Sequence, residues 1–130
     1  MPLALLHVHH IAIICSNYNK SLQFYTEILG LELLTEVFRK ERNSYKADLA
    51  LRGQYTIELF SFPDPPVRPS YPEAAGLRHL AFEVADVYAA VVTLEESGIV
   101  CEPIREDERT GKMFFFIADP DGLPIEFYEK

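Results

Sequence analysis

The sequence contains two copies of one pattern, about 69 positions apart. His10-Ile11-Ala12-Ile13 and His79-Leu80-Ala81-Phe82 both read histidine, aliphatic residue, alanine, apolar residue. An internal repeat of this length restricts the chain to folds that are built from two similar units.

Each copy begins with a strand and continues into a helix. Asn17 and Asp86 are N-cap residues, because their side chains can accept hydrogen bonds from free backbone N–H groups. Gly30 and Gly98 fit the left-handed position that ends a helix. Three strand patterns follow in each copy, roughly at 31–39, 46–52 and 55–61 and at 99–105, 112–118 and 123–128. In the first copy, Arg52-Gly53-Gln54 is predicted to form a tight turn between the last two strands.

A proline-rich segment, about 63–72, joins the copies and is predicted to be an extended connector. We predict one domain over 1–130, with a first module at about 5–62 and a second at about 75–130. Neither module could bury both faces of its sheet alone. The predicted fold is therefore α+β: two βαβββ modules that form an eight-stranded, cup-shaped mixed sheet with the helices outside.

Charge and hydropathy exclude several classes of function. The net charge of −8 disfavours nucleic acid as a partner, because phosphate backbones carry the same sign. No apolar stretch is long enough to cross a membrane, and the N-terminus has no secretory pattern. Cys15 and Cys101 form no disulfide framework, so we expect a cytoplasmic protein.

Four potential metal ligands share one predicted face. Alternation along the strands places His10 and His79 opposite the apolar side chains that face the helices. Glu58 and Glu126 are single carboxylates between apolar residues on the last strand of each module. A carboxylate in a sheet is costly to bury unless it is paired or bound to a metal. The set predicts one divalent ion, with Zn²⁺, Ni²⁺, Co²⁺, Mn²⁺ and Fe²⁺ all compatible.

Other side chains on or near this face could contact a substrate. Glu83 is expected to face the cup, either as a substrate contact or as a carboxylate that is solvated or paired with an arginine. Arg39 and Lys46 could bind an anionic group, and Phe60 and Phe62 could line an apolar pocket or pack against a partner chain. His9 should face the helices by alternation.

At these residues the chain resembles the vicinal oxygen chelate superfamily, the glyoxalase I/bleomycin-resistance/dioxygenase group. The resemblance extends over about 5–130. Its motifs are His9–Ile13, Ser21–Leu31, Ile57–Leu59, Leu77–Phe82 and Asp119–Gly122 with Ile125-Glu126. It implies a metal-holding cup and matches His10, Glu58, His79 and Glu126 to a His/Glu/His/Glu ligand set. It also implies a homodimer in which His10 and Glu58 of one chain meet His79 and Glu126 of the other.

The implied activity is that of a metal-dependent lyase or isomerase of glyoxalase I type. A small α-oxo or α-hydroxy carbonyl substrate would chelate the metal, which would stabilise an enediolate-like charge. Glu126 is the first choice for the catalytic base and Glu58 the second. Ile14 and Phe62 stand where bacterial glyoxalase I-like enzymes carry groups that hold glutathione. The alternatives are a dioxygenase or epimerase on the same site, and a non-catalytic protein that binds an antibiotic.

Overall fold

The computed structural model describes residues 1–130, which divide into two compact units, Met1–Pro66 and Val67–Lys130. The boundary lies inside the predicted connector. The first unit contains β1 (Ile11–Cys15), α1 (Tyr18–Gln23) with a following π-helical turn (Phe24–Ile28), β2 (Glu32–Arg39), a 3₁₀ turn (Lys40–Arg42), β3 (Ser44–Leu51) and β4 (Gln54–Ser61). The second contains β5 (Leu80–Val84), α2 (Val87–Glu96), β6 (Arg105–Glu106), β7 (Met113–Ala118) and β8 (Pro124–Glu129).

The two units have the same strand topology. The strand orders are β1-β4-β3-β2 and β5-β8-β7-β6, and in each sheet the first strand is parallel to the last. Ala12 pairs with Glu58, and Ala81 pairs with Glu126. The repeat in the sequence therefore corresponds to the same pairing of first and last strands in both units. This pairing places one carboxylate beside the first strand of each unit.

Each sheet has one apolar, buried face. Ile13, Ile57 and Leu59 are buried in the first unit, and Phe115 and Ile125 in the second. Burying a side chain of this kind contributes about 1.5–3 kcal/mol relative to leaving it in water. Because side chains alternate along a strand, the opposite face carries the intervening residues. We call this opposite face, which carries Glu58 in one sheet and Glu126 in the other, the site face.

The predicted helix starts and stops are confirmed. Asn17 Oδ1 accepts a hydrogen bond from Lys20 N at 3.1 Å, and Asp86 Oδ1 accepts from two backbone N–H groups at the start of α2. Gly30 and Gly98 have φ values of 84° and 80°, a region that glycine enters at little cost. These caps fix where the chain leaves each helix and enters the next strand.

The hairpin between β3 and β4 confirms the predicted tight turn. Arg52 and Gly53 both have positive φ, at 51° and 81°. Two positive values in succession match the twist of the flanking strands. The turn sets the pairing of Leu51 with Gln54, and a register shift between Leu49 and Ala50 then brings Asp48 opposite Glu58.

The α+β fold of two βαβββ modules is confirmed, and its strands are hydrogen-bonded as two sheets of four. The predicted strand at 99–105 is wrong for most of its length, because regular pairing is limited to Arg105 and Glu106. Pro103 has no N–H to donate to a ladder. Only the N–H of Glu102 bonds across, to Phe116 O at 2.9 Å.

No helix of the structure has the length and apolar character needed to span a membrane. Cys15 and Cys101 are not joined in a disulfide.

Candidate metal centre

In the first unit His10 and Glu58 lie together. His10 directly precedes β1, and its Nε2 is 3.7 Å from Glu58 Oε1 on β4. The imidazole stacks on the ring of Tyr55, with centroids 5.1 Å apart. The side chains of His10 and Glu58 are 34% and 17% exposed, so both are reachable from the site face.

The second oxygen of Glu58 is held by neighbours. Lys46 Nζ lies 3.4 Å from Glu58 Oε2, and the Tyr55 hydroxyl donates to the same oxygen at 3.3 Å. β3 and β4 pair so that Asp48 stands opposite Glu58, and Lys46 also approaches Asp48 Oδ1 at 3.6 Å. Glu58 is thus fixed by Oε2 while Oε1 faces the histidine.

Asp48 strengthens this arrangement. Burial opposes its ionisation, but hydrogen bonds from Thr35 and Tyr55 and the charge of Lys46 outweigh burial and hold the pKa of Asp48 below its usual value of 3.8. Burial, followed by the hydrogen bond and charge of Asp48, raises the pKa of Tyr55 far above its usual value. The tyrosine hydroxyl therefore remains a hydrogen-bond donor at neutral pH.

In the second unit His79 and Glu126 form the corresponding pair. His79 Nε2 lies 3.2 Å from Glu126 Oε1, and the two side chains are 34% and 15% exposed. β7 pairs with β8 so that Phe116 stands opposite Glu126. The Phe116 ring also contacts His79 edge-on, with centroids 5.1 Å apart.

The two carboxylates therefore differ in their surroundings. On the neighbouring strand, Asp48 stands opposite Glu58, whereas Phe116 stands opposite Glu126. Oε1 of Glu126 contacts His79, and Glu126 makes no hydrogen bond, so its Oε2 is not held. Of the two carboxylates, Glu126 is the one that can change position without breaking other contacts.

Each His/Glu pair fits a shared divalent ion. Two ligand atoms that bind one ion at about 2.0–2.2 Å are roughly 3.0–3.5 Å apart. The separations of 3.2 and 3.7 Å are close to this range. Imidazole nitrogen and carboxylate oxygen suit Zn²⁺ and its first-row neighbours. No group of three His, Cys, Asp or Glu side chains that could hold a metal is found in the single chain, and each unit contributes one His/Glu pair.

Several of the other predicted contacts lie on the site face of the first sheet. The guanidinium of Arg39 lies 4.8 Å from the centre of the Phe60 ring and 5.7 Å from that of Phe62, and its Nη2 donates to Ser44 Oγ. Lys46 lies between two carboxylates, as described above. In the second unit Glu83 is exposed on β5, two residues beyond Ala81 and on the same face.

The direction predicted for His9 is wrong. Strand β1 begins at Ile11, so alternation does not extend back to His9. Its Nδ1 lies 2.8 Å from His10 Nδ1, and its ring meets Tyr55 edge-on at 5.4 Å.

Sequence reasoning missed Asp48, Tyr55 and Arg105 as neighbours of the predicted ligands. Asp48 and Tyr55 belong to a hairpin whose turn was recognised, but counting outward from Arg52-Gly53 places Asp48 opposite Ile57. Only the register shift between Leu49 and Ala50 brings Asp48 opposite Glu58. Arg105 lies on a two-residue strand that carried no alternation signal.

Comparison with known families agrees with this architecture. Residues 7–127 match the model of the Glyoxalase/Bleomycin resistance protein/Dioxygenase superfamily. The chain belongs to this superfamily. Two relatives are each 60% identical: uncharacterized protein YwkD of Bacillus subtilis, over 95% of this chain and 96% of its own, and uncharacterized protein YaeR of Escherichia coli, over 98% and 99%.

A solved structure and two more distant relatives are also similar to the chain. The crystal structure of the glyoxalase family protein from Enterococcus faecalis is 50% identical, covers 95% of this chain and 97% of its own, and gives a TM-score of 0.88. A lactoylglutathione lyase of Neisseria meningitidis is 30% identical over 93% of this chain and 88% of its own. A 2-epi-5-epi-valiolone epimerase of an Actinomyces species is 27% identical over 92% and 76%.

Proposed function

We propose that the chain is a metal-dependent lyase or isomerase of glyoxalase I type that moves a proton between adjacent carbons of a small α-oxo or α-hydroxy carbonyl compound. The observation that carries the proposal is the contrast between a fixed Glu58 and a free Glu126, both beside a histidine. General-base catalysis needs a carboxylate that can reach the substrate proton, and Glu126, whose Oε2 makes no hydrogen bond, can take this role while Glu58 stays in place.

His10, Glu58, His79 and Glu126 would hold the divalent ion. When bound, the ion supplies Lewis acidity that stabilises negative charge developing on two adjacent substrate oxygens. The lyase from Neisseria meningitidis supports this class of chemistry, since its name describes a lyase that acts on lactoylglutathione.

Glu126 would act as the base. Its free Oε2 takes the proton from the substrate carbon next to the carbonyl and returns it to the neighbouring carbon. Phe116 stands opposite Glu126 on β7, so an apolar residue takes the cross-strand position that a second carboxylate, Asp48, takes opposite Glu58. Glu58 would remain a ligand through Oε1, since Lys46 and Tyr55 restrain its other oxygen.

A homodimer would complete the site. Each site would combine the His10–Glu58 pair of one chain with the His79–Glu126 pair of the other, as the family resemblance implies. Strand β2 is an edge strand with exposed apolar side chains that a partner could cover, namely Leu33, Leu34, Val37 and Phe38. The two unlinked cysteines are consistent with a cytoplasmic location.

Two measurements test the proposal. Elemental analysis should find about one divalent ion per chain in the wild type and none in the His10→Ala/Glu126→Ala double variant. Proton NMR in D₂O should then show deuterium entering hydroxyacetone next to its carbonyl, with the rate lost in Glu126→Gln and unchanged in Glu96→Gln on α2. A Glu126→Gln protein that exchanges at the wild-type rate would remove Glu126 from its role as base.

An epimerase is the second candidate, because the same base could remove a proton and return it to the same carbon. The epimerase relative favours it. Loss of optical rotation from a single enantiomer, without conversion to an isomeric product, would select the epimerase. Formation of a thioester from methylglyoxal and one of a panel of thiols, detected by its absorbance, would select the lyase.

A further inference from the structure

The second unit contains a cavity beside the His79–Glu126 pair. Its volume is about 410 Å³, and its wall includes His79 and Phe116 together with two arginines, Arg78 and Arg105. A cavity of this size accepts a small organic molecule. Two cations in the wall raise the question of whether either is available to a ligand.

Arg78 is already engaged within the protein. Its Nη1 donates to the carbonyl oxygen of Ser70 at 2.8 Å, and its guanidinium lies 4.8 Å from the centre of the Tyr71 ring. Arg68 in turn donates to the carbonyl oxygens of Leu77 and Arg78 at 2.7 and 2.8 Å. These bonds hold the segment that leads into His79, and they assign Arg78 a structural role.

Arg105, in contrast, is available to bind a ligand in the cavity. It makes no hydrogen bond within the chain, and its nearest charge is Glu102, with Arg105 Nη2 4.0 Å from Glu102 Oε1. The side chains of this pair are 55% and 61% exposed, and an ion pair of that kind contributes about 1 kcal/mol or less. Glu102 can therefore swing away at little cost when a ligand arrives.

The rings beneath Arg105 set its position. Its guanidinium lies 5.0 Å from the centre of the Phe114 ring and 5.7 Å from that of Phe116. Tyr128 stacks on Phe114 at an interplanar angle of 11°, and its hydroxyl donates to Asp107 Oδ2 at 2.8 Å. Stacking on aromatic faces leaves the N–H groups at the rim of the guanidinium free to donate.

The same ring links this arginine to the metal pair. Phe116 contacts His79 edge-on and also lies beneath Arg105. A small molecule whose carbonyl end lies at His79 and Glu126 can therefore place its other end at the guanidinium. Arginine binds carboxylate and phosphate groups through two parallel N–H···O bonds.

We infer that Arg105 binds an anionic group of the substrate, a carboxylate or a phosphate, while the carbonyl end lies at His79 and Glu126. The inference rests on the proposed function, and it narrows the substrate class to α-oxo or α-hydroxy carbonyl compounds that carry an acidic group. Phe114 and Phe116 position the guanidinium, and Arg105 is a specificity-determining residue.

Three hydroxyketone probes test the inference by isothermal titration calorimetry on the metal-loaded protein. Hydroxypyruvate carries a carboxylate, dihydroxyacetone phosphate carries a phosphate, and hydroxyacetone is neutral. We expect one of the anionic probes to bind at least about 10-fold more tightly than hydroxyacetone, since hydrogen bonds to charged groups contribute about 1.5–3 kcal/mol. The preferred anionic probe identifies which acidic group the site accepts.

The Arg105→Gln variant should remove this preference and leave the affinity for hydroxyacetone within about twofold of the wild type. Arg109→Gln is the matched control, because Arg109 is exposed in the turn before β7 and loses the same charge. If Arg105→Gln fails to fold by circular dichroism, Arg105→Lys replaces it. That variant keeps the charge, loses the paired donors, and should weaken the anionic probe at least about threefold.

Metal content measured on the same samples separates the two proposals. The role of Arg105 is overturned if the metal-loaded wild type prefers neither anionic probe over hydroxyacetone. It is also overturned if the metal-loaded Arg105→Gln variant keeps the wild-type preference. Either result leaves the metal chemistry intact. If the protein binds no metal, inorganic phosphate is titrated into the metal-free protein. Phosphate binding that is lost in Arg105→Gln supports the anion site, and binding that is absent or unchanged overturns it.

Discussion

The Nε2 atom of His79 lies 3.2 Å from Oε1 of Glu126, and this is the only polar contact that Glu126 makes. The equivalent carboxylate in the first unit, Glu58, contacts a histidine, a lysine and a tyrosine hydroxyl. The two units have the same topology and present the same type of ligand, a glutamate carboxylate. Neighbouring side chains restrain the carboxylate of Glu58 and leave that of Glu126 unrestrained. The difference arises on the neighbouring strand, where Asp48 and Phe116 occupy equivalent positions.

Removing the hydroxyl of Tyr55 should weaken metal binding. In Tyr55→Phe, Glu58 loses the donor that lies 3.3 Å from its Oε2, and Asp48 loses one at 2.8 Å. Groups that orient a ligand typically change metal affinity about 10–100-fold. Competition with a metal-sensitive dye measures the Kd. Tyr88→Phe, an exposed position on α2, should leave it unchanged. An unaltered Kd in Tyr55→Phe would show that Glu58 does not depend on this bond.

Replacing Lys46 should have the opposite effect on affinity. Its Nζ lies 3.4 Å from Glu58 Oε2, so it repels any cation bound at Oε1. Lys46→Gln should tighten metal binding about 3–10-fold, while the metal-free protein loses up to about 1 kcal/mol of stability because Asp48 and Glu58 are left facing each other. The dye assay and urea denaturation of the metal-free protein measure both effects, and Lys20→Gln on α1 is the control. Weaker metal binding would mean that Lys46 acts mainly by positioning Glu58.

The sequence predicted the repeated register well, for a physical reason. The positions of His10 and Glu58 follow from alternation and from the Arg52-Gly53 turn, and both signals are local. The segment 99–105 was predicted as a strand, whereas regular pairing is limited to Arg105 and Glu106, and Pro103 has no N–H to donate to a ladder.

The contacts that distinguish the two carboxylates could not be predicted in the same way. They depend on which residues of neighbouring strands stand opposite each other, and this depends on a register shift between Leu49 and Ala50. Periodicity along one strand contains no information about such a shift. The availability of Arg105 is likewise a matter of packing on Phe114 and Phe116, which lie on a different strand.

The turn between β7 and β8 should be a determinant of stability. Asp119 is 5% exposed, and its Oδ1 accepts hydrogen bonds from the N–H groups of Asp121 and Leu123, each at 2.9 Å. Asp119→Ala leaves those donors without the carboxylate and should lower the free energy of unfolding by about 1–3 kcal/mol. Urea denaturation measures the change, with Glu108→Ala at an exposed position as control. A change no larger than that of the control would contradict this role.

Stability should fall in acid partly through Asp107. The hydrogen bond from Tyr128, followed by a backbone hydrogen bond from Arg109, holds the pKa of Asp107 below its usual value of 3.8. A lowered pKa means that the stabilisation is complete above pH 3.8 and is lost as the pH falls through the folded-state pKa. Asp107→Asn should therefore be less stable than the wild type at neutral pH and should approach it in acid. Denaturation curves at several pH values test this, and a difference that stays constant with pH would refute it.

Mixing two inactive variants tests whether each site is shared between chains. His10→Ala disables the contribution of the first unit, and His79→Ala that of the second. If each site takes one unit from each chain, a mixed dimer keeps one intact site, formed by the unmodified units of the two chains. Random mixing makes half of the dimers mixed, so the sample should recover about a quarter of the wild-type metal content. If each site lies within a single chain, every chain in the mixture has a defective site and no metal is recovered. Unfolding and refolding the two variants together, with each refolded alone as the control, allows the subunits to exchange before elemental analysis.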